Sequence, residues 1–143
     1  MHLQYKLNRP ISEVFAYLGN AQKFAKAHPI IYKIQQQSHE NYIVFERLKI
    51  AFVNITFTYP TTIKSIAESN TIEMHAVVKK RVHIKILFKL SMQNGITLVE
   101  EHVEIKSILP IGFILKSIFK KQHKQLFLNI ERNLQRKYFN CRS

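Results

Sequence analysis

The sequence predicts an α+β fold, a curved antiparallel sheet of about seven strands wrapped on one long C-terminal helix, with two short helices between the first and second strands. Three observations predict it. Between Ile30 and Ser107 strand-like stretches follow one another almost without interruption. From Pro110 the period becomes helical and stays so to about Phe139. Between the opening strand and the long strand region, two short helical patterns are set off by Pro10, Gly19-Asn20 and His28-Pro29. A length of 143 residues suits one domain, 1–143, with one core.

The elements follow in order. Leu3, Tyr5 and Leu7 alternate with His2, Gln4 and Lys6, which makes a half-buried first strand. Pro10 opens a helix, where its missing N–H would be unpaired anyway. Ile11, Val14, Phe15 and Leu18 carry that helix, and a second spans about Ala21 to Ala27. Strands are expected near Ile30–Gln37, Tyr42–Ile50, Val53–Ala67, Ile72–Lys79, Val82–Gln93 and Ile96–Ser107. Pro60 cannot donate to a ladder, so a bulge or an edge is expected there. Asn94-Gly95 suits a two-residue type I′ hairpin turn, which needs φ > 0 at both positions. Lys79-Lys80-Arg81 should form an exposed basic hairpin tip. In the last helix, Ile111, Ile114, Leu115, Ile118, Gln122, Leu126, Ile130 and Leu134 form a drifting apolar stripe.

Several segments resemble the START-like, helix-grip (SRPBCC) superfamily, including its polyketide cyclase and ligand-transport-like members. Arg9 to Leu18 resembles the common Pro-then-helix opening, and Asn20 to Pro29 resembles the second helix with its His-Pro end. A Trp often precedes that His; here the residue is Ala27. Gly95 to Val103 resembles the Gly-Thr hairpin and final strand, and Leu109-Pro110-Ile111-Gly112 resembles the entry to the last helix. The resemblance spans nearly the whole chain and implies an apolar cavity between sheet and helix. It does not imply a reaction.

The Asn94-Gly95 turn sets a register. Lys89 should face Glu100 and Lys85 should face Glu104 on one side of the hairpin, where opposite charges are favourable. Leu90–Val99, Ile86–Val103 and Ile84–Ile105 should pair on the other side, toward the helix. This register puts Glu101 opposite Phe88 on the inward face. A carboxylate there must find a partner or take up a proton. Glu101 is therefore either a ligand anchor or general acid/base, or a structural residue held by an ion pair or hydrogen bonds at the cavity mouth or turned to solvent by a bulge. The expected cavity wall is Phe88, Ile86, Val99, Glu101, Val103, Ile105, Ile118, Gln122 and Leu126.

Other chemistry finds little support. The histidines show no in-line metal spacing, so no metal is expected. His75, His83 and His102 should face outward, and His123 should be half-buried with a backbone partner. No Gly-x-Ser-x-Gly element or phosphate loop exists, and no cofactor is expected. Tyr5, Tyr32, Tyr42 and Tyr59 lie in strands and are possible wall residues. Cys141 is the only cysteine, so an intramolecular disulfide is excluded and a reducing cytoplasm fits. The N-terminus lacks the apolar run of a signal peptide. The stretch Ile108 to Phe119 is too short for a membrane span.

Charge speaks to partners. Twenty-two Lys+Arg against nine Asp+Glu give a net charge of +13 with His neutral. Such a field attracts anionic partners. The aromatics follow the apolar faces, which disfavours a nucleic-acid platform. An anionic membrane surface, met by Lys116, Lys120 and Lys124 four residues apart on one helix face, is the favoured contact. The leading expectation is non-enzymatic binding or transport of a small hydrophobic ligand: a lipid, quinone or polyketide-like molecule. The alternative is a cyclase or dehydratase using Glu101 as acid/base. Two or more further polar groups in the cavity would favour the enzyme.

Overall fold

The computed structural model describes residues 1–142, with side chains for all of these except residue 50 and residues 137–142. Cys141, Lys137 and Arg142 therefore lie outside the described side chains. The elements run β1 (His2–Leu7), α1 (Ile11–Gly19), α2 (Ala21–Ala27), β2 (Ile31–Ser38), β3 (Asn41–Ile50), β4 (Val53–Ile66), β5 (Thr71–Val78), β6 (Val82–Gln93), β7 (Ile96–Ser107) and α3 (Gly112–Arg142). A single 3₁₀ turn at Ala67–Ser69 joins β4 to β5. The sheet is antiparallel throughout, in the order β1-β7-β6-β5-β4-β3-β2.

The hairpin register is the expected one. Lys89 faces Glu100, Lys85 faces Glu104 and Phe88 faces Glu101. Asn94 and Gly95 have φ of 52° and 80°, as the type I′ turn requires. On the outer face, Glu104 reaches Lys106 on its own strand, 3.4 Å away. Pro60 lies within β4 without a bulge. On the β3 side it is paired with Ile43, but the pairing of β4 with β5 begins only at Thr61 opposite Ala76. Residues 53–60 thus have an open side, and a residue without an N–H is tolerated there.

The short helices are punctuated locally. Pro10 is the N-cap of α1. Asn20 ends α1 and caps α2, its side chain accepting from the Lys23 amide at 3.0 Å. A Cβ at Gly19 would meet Ser65 Oγ at 2.6 Å, so a side chain there would require the Ser65 hydroxyl to turn away. Both helices pack on the inner face together with α3. Asn129 Nδ2 donates to the Ala27 carbonyl, and Asn133 Nδ2 donates to the Tyr17 hydroxyl, each at 2.8 Å.

The main core sits here. Leu7, Val14, Leu18, Ile72, Phe88, Val99, Leu126 and Ile130 are fully buried. Phe127 stacks on Tyr5 with centroids 4.1 Å apart and meets Phe88 edge-on at 5.9 Å. Burying each such side chain contributes about 1.5–3 kcal/mol. The stripe on α3 differs from the expected one at Ile114, which is exposed, whereas Phe119, His123 and Phe127 turn inward. Residues at i, i+4 and i+8 from Leu115 share a face, and Ile114 falls one step off it.

Candidate functional site: an apolar cavity with a polar inner wall

At the entry to α3 and along its first half, Ile111, Leu115 and Phe119 pack on a small cluster of Ala76, Val82, Ile84 and Val103, and the remaining space beneath the sheet stays open. A cavity of about 800 Å³ lies there, bounded by β2 to β6, the end of α2 and α3. Its wall is mainly aliphatic and aromatic: Ile34, Val44, Phe57, Ile63, Met74 and Ile84 from the sheet, and Ile111, Leu115, Ile118 and Phe119 from the helix side. Period-two alternation explains the sheet contribution, since Val44, Glu46 and Leu48 project to one face of β3.

Polar groups interrupt this wall. Glu46 is buried, and Tyr59 on the neighbouring strand donates its hydroxyl proton to Glu46 Oε1. Burial pushes the Glu46 carboxyl pKa up; the Tyr59 hydrogen bond and nearby His123 oppose that rise. Burial first, and the adjacent Glu46 second, push the Tyr59 phenol well above its ordinary value. Thr61 Oγ1 is buried on the same wall with no hydrogen-bond partner.

Two histidines stand beside this pair. His28 caps α2, and its Nδ1 accepts from the Ile30 amide at 3.3 Å. Burial first, then neighbouring His123, lowers its pKa to about 3, so the ring is neutral. His123 meets it edge-on, centroids 5.7 Å apart. Behind the wall, His123 Nδ1 is hydrogen-bonded to Glu101 Oε2, with side-chain exposures of 2% and 0%. Glu101 Oε1 is buried and lacks a hydrogen bond of ordinary geometry. Tyr5 lies alongside; burial, then the Glu101 charge, raises its phenol pKa.

The expected wall is thus only partly the observed one. Ile86, Ile118 and Gln122 line the cavity. Phe88, Val99 and Leu126 lie instead in the packed core, with Val103 and Ile105 in a smaller cluster around Ile84. Glu101 faces inward, as the register required, but sits behind His123 rather than on the wall. Its contact with His123 lies in the core, not at the mouth. The partner of His123 is this carboxylate rather than the backbone. Of the four strand tyrosines, Tyr59 is on the wall. His83 and His102 are exposed, whereas His75 is partly buried.

Sequence reasoning overlooked Glu46, Thr61 and His28 as wall residues. The signal for Glu46 was available: a lone acid between Val44 and Leu48 on an apolar face, the pattern that singled out Glu101. In-line spacing also hid one grouping. Across β1 and β7, ligand atoms of His2, Glu100 and His102 lie within 4.8 Å of one another on the outer face. Among the described residues, no helix is long and apolar enough to cross a membrane.

No protein-family model matches the chain, and no curated protein matches it. Solved structures do. A START superfamily protein from Mycobacterium smegmatis aligns with a TM-score of 0.77 at 12% identity, covering 95% of this chain and 97% of that one. Ara h 8.0201 aligns at 0.74 and 13%, covering 94% and 96%. The Zhui aromatase/cyclase from Streptomyces sp. R1128 aligns at 0.69 and 10%, covering 96% and 94%. With the sheet order, the two short helices and the long α3, these likenesses establish that the chain has the START-like, helix-grip fold.

Proposed function

We propose that this protein binds or carries a small hydrophobic molecule in the cavity between the sheet and α3. The observation that carries this reading is the cavity itself: about 800 Å³, walled by apolar side chains, with a few polar groups at fixed points. Small-molecule sites have this size and composition. A lipid, a quinone or a polyketide-like aromatic would fit. Glu46, with its raised pKa, holds its proton to higher pH and can donate to a ligand carbonyl. Thr61 supplies a buried hydroxyl that a ligand polar group would satisfy. Membrane contact through Lys116, Lys120 and Lys124, all exposed, belongs to the same reading, as does a cytoplasmic setting.

A specific observation also favours an enzyme. Glu46, Tyr59, Thr61, His28 and His123 all reach the wall, more polar groups than binding alone requires. In that reading the base is His123, oriented by Glu101 through Nδ1, and the acid is Glu46. Glu101 then positions the base and does not touch substrate. The chemistry would be proton transfer on an apolar ketone or alcohol, of the cyclase or dehydratase type.

Native mass spectrometry of protein purified from its own host, compared with titration of the neutral probe N-phenyl-1-naphthylamine, tests the binding reading. A co-purified hydrophobic molecule, or saturable probe binding abolished by Ala76→Phe in the wall, is expected. Empty protein that also ignores the probe overturns it. Conversion of the co-purified molecule by wild type, lost in His123→Gln and Glu46→Gln while binding persists, would establish the enzyme.

A further inference from the structure

We propose that the end of the molecule where the cavity opens is a docking face for an anionic phospholipid bilayer. This rests on the binding reading above and specifies how the ligand is reached.

Three loops meet at one end of the sheet. The antiparallel register places the β3–β4 turn, the β5–β6 turn and the exit of β7 on the same side. Each sends residues to the cavity wall: Leu48 and Ile55, Lys79 and Arg81, Leu109 and Ile111. The loops therefore border the cavity at this end. The β3–β4 turn and the segment leading from β7 into α3 carry bare apolar side chains. Phe52 is 98% exposed, Phe113 is 87% and Ile108 is 85%, and Val53 and Ile114 are also exposed. Isolated exposed apolar residues need no explanation; a group around one opening does. These two phenylalanines also depart from the expectation that aromatics follow the buried faces.

Charge identifies the occupant. Lys79, Lys80 and Arg81 stand between the two apolar loops, and Lys116 and Lys120 follow Phe113 on exposed positions of α3. The nine acidic residues are all glutamates, and none falls within 47–56, 77–83 or 105–130. Lys79 and Lys80 are held at φ of 52° and 58°. Asn or Gly would adopt that left-handed backbone at lower cost, so the turn keeps two charges against its local preference. Aliphatic and Phe side chains flanked by lysines insert at the headgroup boundary while the ammonium groups meet anionic lipid. Aliphatic groups give no platform for stacking bases. A bilayer met end-on would receive the ligand directly at the opening, and Lys116 and Lys120, three and seven residues past Phe113, share its helix face.

The test is co-sedimentation with phosphatidylcholine vesicles, with and without phosphatidylserine, at low and high salt. Wild type should sediment with the anionic vesicles and be released by salt. Phe52→Ser/Phe113→Ser and Lys79→Glu/Lys80→Glu should each weaken binding by about tenfold or more. Lys6→Glu, at the opposite end of the sheet, should not. Thermal melts of the same variants confirm folding. No binding to anionic vesicles, or full binding by both double variants, overturns the proposal. So does a dimer that Phe52→Ser/Phe113→Ser dissociates, or capture of a single-stranded oligoribonucleotide in preference to vesicles. Probe titration of the free protein separates the two readings: lost probe binding with intact vesicle binding would remove the cavity's role and leave the docking face.

Discussion

One apolar stripe on α3 meets two different outcomes along its length. Past Gln125 its residues Leu126, Phe127, Ile130 and Leu134 are buried against β1, β6, β7 and the two short helices. Before it, Ile111, Leu115 and Phe119 rest on the small cluster of Ala76, Val82, Ile84 and Val103 and, with Ile118, border a cavity. The residue types are alike; the partners differ. On the closed half, α1 and α2 fill the space beneath the sheet, and aromatic rings complete the contact. On the open half α2 contributes its end, Phe24 and His28, to the wall, and residues 53–60 of β4 lack β5 as a neighbour. Amphipathic patterning states which side turns inward, not whether something waits there.

The boundary between the halves is the most sensitive place to break this comparison. His123 faces the cavity while its Nδ1 bonds to Glu101 in the closed core. Glu101→Leu leaves His123 without its buried partner and should cost about 3–5 kcal/mol in chemical denaturation. Glu101→Gln keeps a hydrogen-bonding group and should cost less. Glu104→Gln, on the outer face, should stay within about 0.5 kcal/mol.

Truncation sharpens the contrast between the halves. Ile130→Ala opens a void in close packing and should lose about 2–5 kcal/mol. Ile118→Ala merely enlarges a cavity and should lose under about 1 kcal/mol, with its larger effect on probe affinity. Equal losses would mean that the open half is packed in solution.

The pH dependence is a smaller effect than the losses at Glu101 and Ile130. His28 is neutral in the fold, with its pKa lowered to about 3 by burial first and His123 second. The unfolded chain binds a proton below about 6.5, the ordinary histidine value, so it carries more protons than the fold between there and about 3. The contribution of His28 is therefore complete above that window and is lost as pH falls through it. Glu46 acts in the opposite sense: its raised pKa contributes stability at low pH that is lost as pH rises through the folded value. Thermal unfolding from about pH 7 to about pH 4 should show wild type losing on the order of 2 kcal/mol more than His28→Asn. The Asn oxygen can still accept from the Ile30 amide.

Much of this was legible in advance. The Asn94-Gly95 turn encodes its own geometry, and from it followed every pair of the β6–β7 hairpin and the inward direction of Glu101. The change of period at Pro110 marked α3. These are local facts, carried by residues within a few positions of one another. His123 was misjudged because its partner is 22 residues away and becomes visible only when helix and strand are superposed. Ile114 was placed inward because a drifting helical stripe leaves a choice of neighbours that only the facing surface settles.

Alternation, turn chemistry and helical period, each written within a few residues, by themselves determined the order of elements, the sheet pairing of β6 with β7 and the side each residue of that hairpin faces. Tertiary structure alone decided that Phe88, Val99 and Leu126 close on one another while Ile118 and Gln122 look into space, and that Glu46, Tyr59, His28 and His123 stand on one wall. Those outcomes depend on how far α3 stands from each strand, a distance set by the volumes of side chains from every element at once.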